Sequence, residues 1–243
     1  MYDMIFKRKS FHLFKNAGDK KISIEELNKI KNELKKLVPL NENIKIDIKI
    51  VRASETSCNK EEEYCILFYS EKKDNYLQNI GYIGEQLDLY LVSLNIGTLW
   101  YGIGKEENYN DLDFVIMMAI KKVDADKFRK DMFKSKRKSI SEIWKNEYYT
   151  NVAEIVRFAP SACNLQPWFV ESSLNELKVY RIRPNKRGIM PTTKVDYYNK
   201  IDIGIFLLFL ELCLKENNVE YERQLLTDDD SDKAINAIYK VGE

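Results

Sequence analysis

Hydrophobic positions along this chain switch between two spacings, and the switches occur twice in the same order. Ile24, Leu27, Ile30, Leu34 and Leu37 recur at helical spacing. Ser23 followed by Glu25 and Glu26 provides an N-cap and an acidic first turn, so the pattern predicts a helix over 22–38 that Pro39 closes. "NIKIDIKIV" then alternates residue by residue, the period of a half-buried strand. "YCILFYS" (64–70) is apolar without interruption, as a strand buried on both faces is. "NIGYIGEQLDLYLVSLNIG" predicts a helix over 79–97 that Gly97 ends, and "DFVIMMAIKKV" another buried strand. Residues 1–16 read as a short helix and a basic loop.

The second part follows the same sequence of elements. "NVAEIVRFAP" is a helix stopped by a proline, "PWFVESS" and "ELKVYRI" are strands, and "YYNKIDIGIFLLFLELCLKENNVEYE" is a long apolar helix with an early glycine. Ile83-Gly84 falls where Ile203-Gly204 falls. Helix–strand–strand–helix thus occurs twice, which points to an α+β fold with an internal duplication, divided into residues 1–145 and 146–243. The tail, "TDDDSDKAINAIYKVGE", reads as an acidic turn and a final helix or strand.

Composition narrows the class. Of 243 residues, 44% are apolar and 32% charged, a globular balance able to bury a sizeable core. The formal net charge is +1, so no global field recruits nucleic acid or a membrane surface, and an anion site must come from local arrangement. The most apolar run, 201–214, contains Asp202 and Glu211 and is too short to span a bilayer. The N-terminus lacks the apolar core and cleavage site of a signal peptide. A cytoplasmic location is expected. Four cysteines without C-x-x-C spacing and a single histidine argue against a zinc site.

Four stretches hold candidate chemistry. "RKSFHLF" (8–14) places Arg8, Lys9, Ser10 and His12 within one turn, donors suited to phosphate or a polyhydroxy chain. "FKSKRKS" (133–139) is basic, but without the aromatic interleaving of a nucleic-acid surface. "GTLWYGIGK" (97–105) reads as a glycine-rich loop after a helix, and it is not a dinucleotide fingerprint. "APSACNLQPWF" (159–169) sets Ser161, Asn164 and Gln166 between Pro160 and Pro167. Amides there can read the imide edge of a flat heterocycle. Cys163, with His12 the only imidazole in the chain, is expected to be a small packed residue rather than a nucleophile.

Taken together, these stretches resemble the FMN-dependent nitroreductase family. "APSACNLQPWF" is similar to its P-S-S-x-N-x-Q-P-W loop and "RKSFHLF" to its N-terminal R-R-S-x-R-x-F. "YIGEQLDLYLVSLNIGTLWYG" is similar to its central helix and following loop, and "FKSKRKSISEIW" to its late basic segment. The order departs from the ordinary family, in which the polar loop comes early and two identical subunits build each flavin site. Here the early position, "LVPLNENIKIDI", keeps Pro39 but lacks the polar residues, which stand instead in the second repeat. The chain resembles a variant branch in which one polypeptide supplies both halves as a fused pseudo-dimer.

The resemblance implies a nitroreductase-like fold and one bound FMN. Residues 1–145 would carry the basic phosphate-binding segments, and 146–243 the polar flavin loop. Arg8 and Ser10 would meet the phosphate and ribityl chain, with Lys9 in the second basic position and His12 replacing an arginine. Ser161 and Asn164 would face the isoalloxazine, with Ala162 in place of a serine, Pro160 stiffening the loop and Gln166 bracing it. Tyr101 and Gly102 would present backbone to the flavin's reactive edge, and Arg137 would reach the phosphate. Ser135 stands where the family has lysine, with Lys136 and Lys138 beside it. The implied reaction passes a hydride from NAD(P)H through FMN to a nitroaromatic, quinone or similar flat acceptor. The flavin does the redox chemistry and no side chain is a covalent catalyst. The implied protein is a monomer that completes its own site, a homodimer being open, with a small-molecule acceptor and neither nucleic acid nor membrane as partner. Two rivals stand beside it: a non-catalytic flavin or flat-ligand binder that keeps the fold, and another flavin enzyme of the superfamily, such as a dehydrogenase or a dehalogenase-like reductase.

Overall fold

In a computed structural model, which describes residues 1–185, 188 and 190–242, the Ser23 cap forms as the sequence suggests. The Ser23 hydroxyl accepts from the Glu26 N–H at 3.1 Å, and the Glu26 carboxylate accepts from the Ser23 N–H at 2.9 Å. This reciprocal pair satisfies two orphan donors and opens the second helix, α2 (Ile24–Leu34), after a short α1 (Tyr2–Lys7). α2 ends before Leu37 and Pro39. The chain is drawn off by Gln86, whose side chain accepts from the Val38 N–H at 3.1 Å and donates to the Val38 carbonyl at 2.7 Å. The residue before a proline also disfavours helical backbone.

Two compact units are present. The first holds Asp3–Tyr76 and Ile83–Met132. Its sheet runs β1-β2-β4-β3, antiparallel throughout. The strands are β1 (Ile46–Arg52), β2 (Tyr64–Ser70), β3 (Ile96–Tyr101) and β4 (Asp113–Lys122). β2 and β4 are central, which is why both read as unbroken apolar runs, whereas the edge strand β1 alternates and is half-buried. Phe11, Phe14, Leu67, Leu99 and Met117 share one core cluster.

The second unit holds Leu77–Tyr82 and the chain from Phe133 onward; positions 186, 187, 189 and 243 of the expected second half lie outside the described residues. It contains α4 (Ile140–Ile143), β5 (Trp144–Lys145), α5 (Thr150–Val156), β6 (Trp168–Ser172), β7 (Glu176–Ile182), α6 (Val195–Glu216), β8 (Tyr221–Leu225) and β9 (Lys233–Val241). The sheet order is β5-β6-β7-β9-β8. Every residue of α6 from Ile201 to Leu210 is buried, each large apolar one contributing roughly 1.5–3 kcal/mol. The start of the third helix, α3 (Tyr76–Ser93), belongs to this unit and meets α6 backbone to backbone. A Cβ at Gly81 would lie 2.0 Å from the Ile201 carbonyl oxygen, and one at Gly204 would lie 1.9 Å from that of Gln78. Each glycine faces the residue three before the other. The reciprocal match is therefore Gly81 with Gly204, one turn away from the Gly84–Gly204 match read in the sequence.

Two strands correct the sequence reading. "GTLWYG" is not a loop: Ile96–Tyr101 form β3, with Gly97 inside the strand, where a Cβ would lie 2.8 Å from the Phe11 ring; a strand glycine often marks such a close approach. The turn that ends α3 is made by Asn95 at φ 54°. In the second unit, Asn218 at the same φ of 54° follows α6, and residues expected to extend that helix form β8 instead. The tail is a strand, β9. Setting aside α1, α4 and β5, the element order α2-β1-β2-α3-β3-β4 is followed by α5-β6-β7-α6-β8-β9, and the strand order β1-β2-β4-β3 has its like in β6-β7-β9-β8. The fold is α+β. Among the described residues no helix is long and apolar enough to cross a membrane.

Candidate functional site

The segment after α5 turns sharply without glycine. Cys163, Asn164 and Gln166 have φ of 50°, 56° and 50°, a region that non-glycine residues enter at a cost. Neighbours in the second unit hold them there. The Gln166 N–H donates to the Ser161 hydroxyl at 2.9 Å, and the Gln166 amide oxygen accepts from the Lys138 N–H at 2.8 Å. Its amide nitrogen donates to the Asn164 carbonyl at 3.1 Å, and Lys138 Nζ donates to the Gln166 carbonyl at 2.9 Å. Gln166 is buried, and its geometry is that of a brace. Burial pushes the Lys138 ammonium pKa down.

Arg137 Nη1 donates to Asn164 Oδ1 at 2.9 Å, and Asn164 Nδ2 donates to the Lys136 carbonyl at 3.2 Å. Arg137 and Asn164, assigned above to opposite ends of a flavin, are therefore neighbours. Pro160, Ser161 and Ala162 are half-buried and Asn164 is exposed. Beneath the loop, Asp202 Oδ1 accepts from the Ala162 N–H at 2.9 Å. Burial holds the Asp202 carboxyl well above its ordinary range, against the pull of that N–H. Its other oxygen, both polar side-chain atoms of Asn199, and Trp168 Nε1 are buried without a partner among the described residues.

In the first unit, Arg8 is buried. Its Nε donates to Asp88 Oδ2 at 2.9 Å, and the guanidinium pairs with Glu85 Oε1 at 3.1 Å. Burial pushes Glu85 well above the usual carboxylate range, and Arg8 also pairs with Asp88 at 2.9 Å. Asp88 Oδ1 also accepts from the Thr98 hydroxyl at 2.7 Å. Ser10 bridges to Thr98, and the Phe11 N–H donates to the Thr98 carbonyl at 2.9 Å, so this network fixes residues 8–11 beside β3. Lys9 and His12 are exposed, Ser10 and Gly102 half-buried, and Tyr101 buried at the end of β3. The Arg8 guanidinium, expected at a phosphate, is taken up by carboxylates.

Cys163 is exposed rather than packed, because its left-handed backbone turns it outward at the tip of the loop. Sequence reasoning gave no site role to Asp202, Glu85 or Asp88, and it named Lys138 beside Ser135 without its bond to Gln166. The signal for Asp202 was present: it is a carboxylate inside "IDIGIFLLFLELCL". Its counterpart in that run, Glu211, accepts from the hydroxyls of Tyr82, Tyr221 and Tyr239 at 2.7, 3.0 and 2.8 Å and pairs with Arg223.

A family model described as "Putative TM nitroreductase" matches residues 1–214. The fold is also similar to the 2.00 Å crystal structure of a protein from Thermotoga maritima described as "a putative nitroreductase", with a TM-score of 0.63 and 21% identity, over 99% of this chain and 92% of that one. No curated protein matches the chain. At this identity the structural likeness shows the fold, a nitroreductase-like α+β arrangement.

Proposed function

The chain belongs to the "Putative TM nitroreductase" family, and from that premise we propose that it is an FMN-dependent oxidoreductase. Membership supports a general oxidoreductase role. The observation that carries the finer reading is the loop at 160–166. Cys163 and Gln166, held left-handed on either side of an Asn164 that tolerates that backbone, represent roughly 1–3 kcal/mol of strain each, and such strain concentrates at ligand clamps and active sites. Its side chains are a hydroxyl and two amides, with Arg137 and Lys138 alongside. That donor set fits an imide-bearing ring and an anion.

In this reading Ser161, Ala162 and Asn164 bind the ring while Pro160 and Gln166 hold the loop's shape. Lys9, Ser10 and His12 serve the ribityl phosphate, Tyr101 and Gly102 the ring edge, and Arg137 the phosphate after turning from Asn164. Arg8 is a positioning residue: paired with Asp88, it fixes the backbone of 8–11 along β3. The two-electron chemistry, hydride from NAD(P)H and onward to a nitroaromatic, quinone or similar flat acceptor, is what FMN supplies when bound. Cationic side chains near the ring favour its reduced, anionic form. The chain carries both residue sets, so we expect one FMN per chain, bound by a cytoplasmic monomer. The engagement of Arg8 by carboxylates favours a second reading, a flavin or flat-ligand binder without turnover.

Denaturing extraction followed by chromatography identifies the flavin and its ratio to protein, and anaerobic addition of NADH or NADPH reports reduction by bleaching. Bleaching supports the enzyme. Bound FMN that never bleaches supports the second reading, and apoprotein that takes up no FMN sinks the enzyme and leaves only a binder of some other flat ligand.

A further inference from the structure

At the entry to β2, in the first unit, the chain brings together two thiols and a carboxylate that the flavin reading does not use. Cys58, Glu62 and Cys65 each offer a ligand atom, and the three atoms lie within 4.8 Å of one another. We propose that Cys58, Glu62 and Cys65 form a binding site for a zinc-class divalent metal, with two thiolates, one carboxylate and a fourth position open to water or an exogenous ligand.

Geometry supports the proposal. Tetrahedral zinc with Zn–S near 2.3 Å sets its sulfurs roughly 3.8 Å apart, so the ligand atoms close onto an ion by moving less than about 1 Å. Cys65 is rigid: it pairs with Val51 and Ala119 in the sheet and is fully buried. Cys58 is buried, and Glu62 is half-exposed, which gives an entry path on one side. Outer contacts hold the loop. The Lys60 N–H donates to Glu62 Oε2 at 2.7 Å, leaving Oε1 for a metal. The Cys58 N–H donates to Thr56 Oγ1 at 3.2 Å, and that hydroxyl lies 3.4 Å from Cys65 Sγ. Such partners orient ligands and tune their basicity. Two soft sulfurs and one oxygen select zinc-class ions over magnesium or calcium. Loading releases both thiol protons to solvent.

The experiment titrates chelator-stripped, reduced, full-length protein with Co²⁺ under anaerobic conditions, then displaces it with Zn²⁺. The expected result is a thiolate-to-cobalt charge-transfer band that saturates at one equivalent and is bleached by Zn²⁺. Cys58→Ser and Cys65→Ser should each remove at least half of the band and weaken binding by roughly tenfold or more. Glu62→Gln, at a half-exposed position that leaves the core intact, should keep the band but weaken binding. Cys163→Ser should match the parent chain. No band from protein whose free thiols are all counted overturns the site. So does a band unchanged in both cysteine variants, or the loss of two thiols to a Cys58–Cys65 disulfide under the same reducing conditions. Flavin content is irrelevant to every arm, so failure here leaves the flavin reading untouched.

Discussion

Gly204→Ala sets two opposing effects against each other. On helix propensity alone, alanine should stabilise an interior position by about 0.8–1.0 kcal/mol. The added Cβ, however, would lie 1.9 Å from the Gln78 carbonyl oxygen and 2.8 Å from the Tyr82 nitrogen. Ordinary contact begins near 3.4 Å, a shortfall of about 1.5 Å at the closest atom. Those atoms are backbone and cannot swing aside, so α6 and the start of α3 must part, loosening the buried residues around them. Overpacking of this kind costs typically ~1–3 kcal/mol and sometimes more, and it outweighs the propensity gain. With a shortfall this large the cost falls in the upper part of that range, so we expect a net loss of about 1–2 kcal/mol, read as a lower urea midpoint by circular dichroism. Gly81→Ala meets the Ile201 carbonyl at 2.0 Å and should behave alike. Because one parting motion relieves both clashes, the double variant should lose less than the sum of the singles. A midpoint unchanged or raised in Gly204→Ala would refute the backbone contact, and strict additivity would refute the shared motion.

Arg137→Ala should weaken FMN binding by roughly 10- to 100-fold, the value of a charged hydrogen bond, and Lys130→Ala far less; equal losses in flavin titrations would mean a diffuse basic surface. Arg8→Ala should destabilise the fold by about 3–5 kcal/mol by stranding the buried Asp88 carboxylate, and an unfolding midpoint like the parent's would contradict that network. Asp202→Asn keeps the acceptor for the Ala162 N–H. Asp202 has a raised folded pKa, so its protonated form contributes stability fully below the unfolded value of 3.8, and that contribution falls as pH climbs toward the folded one. The advantage of asparagine should therefore widen with rising pH, and a pH-independent difference would count against a neutral buried carboxyl. Cys163 should be the first thiol alkylated in native protein, since Cys65 and Cys213 are fully buried and burial raises the Cys213 thiol to about 12. Mass mapping that finds Cys213 first would contradict the exposed loop tip.

The elements legible in the sequence were those whose burial imposed a period. β2 and β4 read plainly because both faces are covered, and α2 because Ser23 and Glu26 cap it. β3 was obscured by Gly97, which serves a close approach of Phe11 and not a turn. β8 was obscured because "YERQL" alternates glutamate, arginine and glutamine at the sheet edge, with little apolar signal. The polar loop was legible as a motif, but what holds it was not. Asp202 is 40 positions from Ala162 and Lys138 is 28 from Gln166, and only tertiary structure joins them. For the same reason Arg8 read as a free cation: its carboxylate partners lie some eighty residues downstream. Cys58 and Cys65, with Glu62 between them, match no common ligand spacing, and their meeting depends on how the chain enters β2.

Among the described residues, seven of the thirteen non-glycine positions with positive φ are asparagines, in a chain with nine glycines. This way of turning corners gives the protein a chemical clock. An asparagine side chain can be attacked by the next backbone nitrogen and lose ammonia, leaving aspartate or an isoaspartate that lengthens the main chain by one atom. Bulky followers hinder that attack, and Tyr76, Ile96, Leu165 and Val219 stand after Asn75, Asn95, Asn164 and Asn218. The two helix-ending turns and the polar loop are thereby shielded from ageing. Asn16, followed by Ala17, and Asn110, followed by Asp111, have no such cover, and it is at these corners that stored protein would first change its charge.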